Sequence, residues 1–505
     1  ENNIYELIEK VPGIGFLTID KIAVNLGIEK EDERRIESCI LYSMYDLCMT
    51  SGNTYSSFNE IYLRTLKHLD LSIDAKDFEY YLLKLNKSND VIILEDKYVL
   101  KNIYEIEKNI CTKISRLASN PPIEIKGLDG HITMLEDVFG IKYNEGQKNA
   151  IKNSLQNKFN IITGGPGTGK TTIIKGIVES YKQIEKINDE RLANEMILLA
   201  PTGRAARRIM ESTNFRAQTI HKFLKWDKET DTFQINKYNK SNAKIVLIDE
   251  ASMIDIFLFN SLLEGLTDSV RIIMVGDANQ LPSVLPGQIL KDLIDSDIVP
   301  VTKLNELYRQ KEDSYIINLA TEINKGIIDE DFTEKRSDYN FIETNKEQIE
   351  FVISELCKKA LEKGYDYNQV QVLVPMYKGL NGINNLNNKL QEIFNPKSDK
   401  KDEYIHNDVI FREGDKVLQT KNINDLEISN GDIGIIDSIT KTKDGILAVI
   451  NFDGIIVEFS KKHFDDLKLG YAISIHKSQG SEFEIVIMPM DLSFKRMLYR
   501  KLLYT

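Results

Sequence analysis

The stretch that most constrains the fold lies between Phe159 and Val178. An apolar strand, Phe159-Asn160-Ile161-Ile162-Thr163, enters a glycine-rich turn ending in Lys170-Thr171, and a helix carrying Ile173, Ile174, Ile177 and Val178 follows. Strand, Gly-x-x-x-x-Gly-Lys-Thr turn and helix in that order form a P-loop. Its glycines let successive backbone N–H groups turn inward around phosphate oxygens, and the positive end of the helix adds to that field. The nucleotide contacts expected are Gly165, Pro166, Gly167, Thr168, Gly169, Lys170, Thr171 and Thr172. Lys170 would reach the β- and γ-phosphates of ATP, and Thr171 would ligate Mg²⁺.

Around this unit the chain alternates. Apolar runs at 196–200, 244–248, 270–275 and 299–304 are separated by helical patterns, which predicts a parallel α/β sheet with its ligands at the carboxyl ends of the strands. Chemistry follows the runs. Ile248 is followed by Asp249-Glu250, one carboxylate for Mg²⁺ (Asp249) and one to polarise the attacking water (Glu250). Gly276-Asp277-Ala278-Asn279-Gln280-Leu281-Pro282 ends the next run, and Gln280 is the candidate sensor of the γ-phosphate. Upstream, Gln147 opens the helix before the P-loop, where its amide could pair with an adenine edge.

The remaining features speak to organisation and partners. With 505 residues the chain has room for three or four domains. The net charge of −12 excludes wholesale electrostatic coating of nucleic acid but not a local basic groove. One such strip exists: between Arg204 and Lys225 stand six basic residues (Arg204, Arg207, Arg208, Arg216, Lys222, Lys225) against one acid, Glu211. With the hydroxyls of Thr202 and Thr219, the intervening His221, and Phe223 and Trp226 in reach of bases, it reads as a nucleic-acid track. Four scattered cysteines without Cys-x-x-Cys suggest neither zinc nor a disulfide framework. No apolar run approaches the ~20 residues that span a bilayer, and a reducing cytoplasm is expected. The missing initiator Met suggests a fragment.

At the start, Val11-Pro12-Gly13-Ile14-Gly15 followed by a helix with Ile19, Ile22, Ala23 and Leu26 resembles a helix-hairpin-helix, whose turn grips a DNA phosphate; Gly13 and Gly15 would be the contacts. A bland αα-hairpin fits the same stretch. A mostly helical pattern then closes in a short strand pair near 91–100, as in a winged helix, and Asn120-Pro121-Pro122 marks a linker.

Gly-Gly-Pro-Gly-Thr-Gly-Lys-Thr (164–171), Ala-Pro-Thr-Gly-Arg-Ala-Ala (200–206), Asp-Glu-Ala-Ser-Met (249–253) and Gly-Asp-x-x-Gln-Leu-Pro (276–282), in that order, resemble the motor of superfamily 1 DNA helicases, specifically the RecD-like group in its long, N-terminally extended form. The resemblance covers nearly the whole chain. It implies an α/β fold of two RecA-like lobes, with an N-terminal helical domain at 1–122, a first lobe at 123–297 and a second at 298–505 carrying an SH3-like β-barrel at about 410–465. The turn signals Asn430-Gly431, Asp444-Gly445 and Asp453-Gly454 independently call for a barrel. By the same resemblance Arg309 reaches across the cleft to the γ-phosphate, Gly480 and Glu482 approach the nucleotide, and Pro375, Tyr377, Ser474 and His476 touch nucleic acid. A β-hairpin within 226–240 would split the duplex.

The implied activity is ATP-driven translocation on single-stranded DNA, 5′ to 3′, with unwinding at duplex junctions. The family continues past the residue matching Thr505 into a segment with another cleft arginine, so a chain ending there is expected to bind ATP yet hydrolyse it poorly. Two other classes share parts of the pattern: a DNA-binding ATPase clamp that does not unwind, and a small-molecule kinase or GTPase, against which the absence of an Asn-Lys-x-Asp guanine motif counts.

Overall fold

The computed structural model describes residues 3–10, 14–227, 230, 232–304, 314–423, 428–442 and 445–505. Gly13, the Leu307–Gln310 stretch with Arg309, and parts of the expected hairpin lie outside the described residues.

The N-terminal unit is built from helices with strong local stop signals. Ser57 and Glu60 form a reciprocal capping box at the start of Phe58–Leu69, and Gly52, at φ +74°, ends Glu33–Ser51 in the left-handed turn that glycine adopts freely. Phe16, Ile40, Ile61 and Phe78 fill its core. A buried ion pair, Arg35 Nε to Asp20 at 2.7 Å, is completed by the Tyr5 hydroxyl at 2.9 Å. The strands Val91–Leu94 and Lys97–Leu100 pair antiparallel and lead into the helix Lys101–Ala118. That helix docks on Ile256–Glu264, where Lys113 Nζ donates to the carbonyls of Leu263 and Leu266 at 2.7 and 2.6 Å, neutralising a helix C-terminus.

The first lobe is a six-stranded, all-parallel sheet. From edge to edge its strands are Val301–Leu304, Phe159–Gly164, Arg271–Gly276, Ile245–Ile248, Met196–Ala200 and Ala217–Thr219. Strands buried on both faces read as continuous apolar runs, and Ile245, Val246, Leu247 and Ile248 are all at or below 1 % exposure. The edge strand corrects the expected boundary at 297: Val301 to Leu304 pair with Ile161 to Gly164, so the first lobe's sheet extends past it. The hairpin is also shorter than expected, pairing Trp226–Asp227 with Thr232–Phe233, while Tyr238 is exposed.

The second lobe holds a three-stranded parallel sheet, Ala472–Ile473, Val370–Leu373 and Ile485–Ile487. Beside it lies a five-stranded antiparallel sheet in the order Ile455–Ser460, Gly445–Phe452, Ile433–Thr442, Lys416–Gln419 and Leu467–Leu469. The joint between the two is polar and saturated. Asp415, fully buried, accepts from Gln391, Asn395, Tyr471 and the backbone of Arg412 at 2.6 to 2.9 Å. Four donors compensate the cost of burying that carboxylate.

Candidate nucleotide cleft

The P-loop takes its shape from close approach. A Cβ on Gly164 would stand 2.7 Å from Thr168 Oγ1 and 2.8 Å from Leu304 Cβ, and Gly167 and Gly169 have φ of +77° and +83°. Only glycine meets these conditions without strain. Lys170 Nζ donates to the carbonyls of Gly164 and Gly165 at 2.8 and 3.0 Å, which holds its ammonium at the mouth of the loop. Thr168 Oγ1 bonds the Gly165 carbonyl at 2.9 Å, and Thr171 and Thr172 open the helix Lys170–Glu185.

Gln147 has a different task from the one expected. Its Oε1 accepts the Asn144 N–H at 3.1 Å, its Nε2 donates to the Thr168 carbonyl at 3.1 Å, and it is 1 % exposed. Its amide ties a helix cap to the P-loop rather than offering an edge to adenine.

Asp249 and Glu250 emerge at the end of the strand Ile245–Ile248. Asp249 Oδ1 accepts the Glu250 N–H at 2.9 Å, and Glu250 holds a left-handed backbone at φ +50°. Desolvation, and then the charge of Asp249, push Glu250 up to about 7; desolvation raises Asp249 as well. Both feel the opposing fields of Lys170 and Arg208. Asp249 and Glu250 are two neighbouring carboxylates in a dry cleft, carrying negative charge that a dication would offset.

The loop after the strand Arg271–Gly276 completes the cleft and is held from the second lobe. Tyr504 OH donates to Asp277 Oδ2 at 2.6 Å, Thr505 Oγ1 accepts the Leu281 N–H at 2.9 Å, and Gln479 Nε2 donates to the Leu281 carbonyl at 3.1 Å. Sequence reasoning named none of these three. Gln479 lies between His476 and Gly480, both expected at the site, but nothing local says that its amide faces a loop 198 residues away. Gln280 is half-buried on this loop.

The basic strip is corrected more deeply. Arg204 Nη1 donates to Ser481 Oγ at 2.6 Å, Arg207 pairs with the buried Asp432 at 2.6 Å, and Arg208 pairs with Glu482. All three arginines of the helix Gly203–Thr213 therefore face the second lobe and its antiparallel sheet, around a cavity of about 520 Å³ that also takes in Lys416 and Phe483. Gly480 packs on Ala205 and Thr202, while Glu482 pairs with Arg208, whose charge is also felt by Glu250. Thr202 and Thr219 spend their hydroxyls as helix caps, accepting from the N–H groups of Ala205 at 3.3 Å and Lys222 at 3.1 Å.

The other expected contacts divide. Gly15 caps Phe16–Asn25 with no atom within 4 Å of where its Cβ would be, leaving that helix start open. His221 and Tyr377 are exposed, Lys468 Nζ stands 4.9 Å from the Tyr377 ring, and His476 is half-buried. Pro375 and Ser474 are buried, which takes the Ser474 hydroxyl off the surface.

A P-loop on a parallel sheet, paired acids on an inner strand and a loop gripped by another α/β unit define a P-loop nucleotide-binding motor whose cleft is shared between two lobes. Sequence models of four domains match the chain in order: an ATP-dependent RecD2 DNA helicase HHH domain at 1–55, an AAA domain at 147–286, an ATP-dependent RecD-like DNA helicase SH3 domain at 386–452 and a UvrD-like helicase C-terminal domain at 469–505. The ATP-dependent RecD2 DNA helicase of Deinococcus radiodurans is 29 % identical, over 100 % of this chain and 68 % of that protein. The RecBCD enzyme subunit RecD of Buchnera aphidicola subsp. Acyrthosiphon pisum is 28 % identical, over 89 % and 85 %. Among solved structures, Pif1 helicase from Candida albicans aligns over 72 % of this chain and 92 % of that one, with 18 % identity and a TM-score of 0.44. The domain models and the relatives agree in kind, and the chain is similar throughout its length to RecD-like DNA helicases.

Proposed function

We propose that the chain is the motor of an ATP-dependent DNA helicase that moves 5′ to 3′ on a single strand and separates the duplex ahead of it. The observation that carries this reading is the loop Asp277–Leu281, which borders the nucleotide cleft in the first lobe while Tyr504, Thr505 and Gln479 of the second lobe hold it. A change in the cleft is thereby a change in how the lobes meet, and that is what converts hydrolysis into movement.

Within the cleft, Lys170 leaves two backbone carbonyls to engage the β- and γ-phosphates. Glu250, with a carboxyl that titrates near neutrality, takes the proton of the attacking water. Thr171 and Asp249 would hold Mg²⁺, which when bound neutralises charge on the phosphate oxygens. Gln280 lies on the loop to report the γ-phosphate, and Arg309 is the cross-cleft cation of this scheme, an element worth roughly 10³–10⁵ in rate in related phosphoryl transfer. The strand is carried across exposed Tyr377, Lys468 and the half-buried His476, with the N-terminal helix start at Gly15 gripping a backbone phosphate.

The test is ATP turnover titrated with single-stranded DNA. Stimulation by DNA is expected; turnover indifferent to DNA would contradict the proposal.

A further inference from the structure

Asp277 divides its carboxylate between two jobs. Oδ1 accepts the Asn279 N–H at 3.0 Å, and the Gln280 N–H bonds the Asp277 carbonyl at 3.2 Å, so this residue shapes the turn that presents Gln280. Oδ2 accepts from Tyr504 OH at 2.6 Å, and Asp277 is 1 % exposed. The phenol arrives from the last helix, Arg500–Tyr504, 227 residues away in sequence. It also stands against the P-loop: a Cβ on Gly165 would lie 3.2 Å from the same hydroxyl. One oxygen atom thus touches the turn that carries Gln280 and the phosphate-binding loop together.

We infer that Tyr504 is a positioning residue for hydrolysis, its hydroxyl fixing Asp277 so that Gln280 is held in register with the P-loop only while the two lobes are together. The inference rests on the ATPase reading above and adds a residue to it. Burial, reinforced by the charge of Asp277, raises the phenol far above its ordinary range, so it stays a donor at every working pH. The next residue strengthens the hold, because Thr505 Oγ1 takes the N–H of fully buried Leu281 while Gln479 takes its carbonyl. Opening the cleft breaks all three bonds and frees the turn; closing it remakes them. A hydrogen bond to a charged group made in only one lobe arrangement is a differential contact, and such contacts bias a two-state element.

Tyr504→Phe keeps the ring and removes the bond. In that variant, hydrogen exchange over 277–281 should quicken, the affinity for a non-hydrolysable ATP analogue should stay within about twofold, and kcat should fall about tenfold, the loss expected for one charge-assisted hydrogen bond. Asp277→Ala, which also removes the acceptor of the Asn279 N–H, should lose at least as much, and the double variant should be no worse than Asp277→Ala alone. Wild-type exchange and kcat in Tyr504→Phe would overturn the inference. So would additive losses, or an equal loss of analogue affinity, which would make Tyr504 a nucleotide contact instead. A wild-type chain that binds the analogue but shows no turnover in any form would count against the ATPase reading, and the exchange measurement would still decide for or against Tyr504.

Discussion

Glu250 adopts a left-handed backbone at φ +50° immediately after a buried strand, a conformation costing of order 1–3 kcal/mol that persists only where the surroundings impose it. Its carboxylate is held beside Asp249 in the same dry cleft, which is why its pKa rises to about 7. The linkage to stability has a definite sign. The folded chain holds this proton more tightly than the unfolded chain, so the stability it adds is full below about pH 4.5 and is lost as pH rises through about 7. Glu250→Gln should therefore raise Tm at pH 8, and the gain should shrink as pH falls through about 7 and vanish below about 4.5, as differential scanning fluorimetry would record. The same variant should lose ATP turnover. A Tm difference independent of pH would show that Glu250 is not strained electrostatically.

Among elements, the helix Gly203–Thr213 is the one whose part in the molecule changes most. Its arginines, in sequence, are a positive strip; in the fold they are spent on Ser481, Asp432 and Glu482. The Arg207–Asp432 pair is buried, with side chains 16 % and 2 % exposed, so removing one partner leaves a charge without compensation. Asp432→Ala should destabilise the chain by about 3–5 kcal/mol in denaturant titrations, whereas Arg207→Met with Asp432→Leu should recover most of it. Charge reversal at Arg207 accordingly acts on the fold, and the salt slope of DNA binding should shift less than for Lys468→Glu beside the exposed Tyr377. The P-loop, the acid pair and the barrel turns were legible because each is a local pattern with local causes: glycine at positive φ, strand-end acids, Asn-Gly and Asp-Gly turns. The destinations of Arg204, Arg207 and Arg208 were not, since charge does not name a partner hundreds of residues distant; Gln147, by contrast, stands three residues after Asn144 in capping-box spacing, and its side chain goes to that cap and to the Thr168 carbonyl. Ser474 teaches the same point, its motif being readable and its burial not.

For the whole molecule, the parallel sheet of the first lobe followed from alternation and the antiparallel sheet from turn spacing, whereas the second lobe was expected only from the family resemblance; the boundary at 297 does not fit the first sheet, because Val301–Leu304 pairs with its strand Phe159–Gly164. How the units meet comes entirely from tertiary contact. Lys113 docks the N-terminal unit on a helix end, and Tyr504, Thr505 and Gln479 bind the second lobe to the loop beside the P-loop. These contacts make the cleft a shared structure, in which hydrolysis would drive strand separation. The most direct measurement is ATP-dependent unwinding of 5′-tailed and 3′-tailed duplexes, with Lys170→Ala in parallel. Unwinding is expected from the 5′ tail, little from the 3′ tail, and none from Lys170→Ala although it still binds single strands. Unwinding by Lys170→Ala, or ATP turnover without unwinding of either substrate, would contradict it.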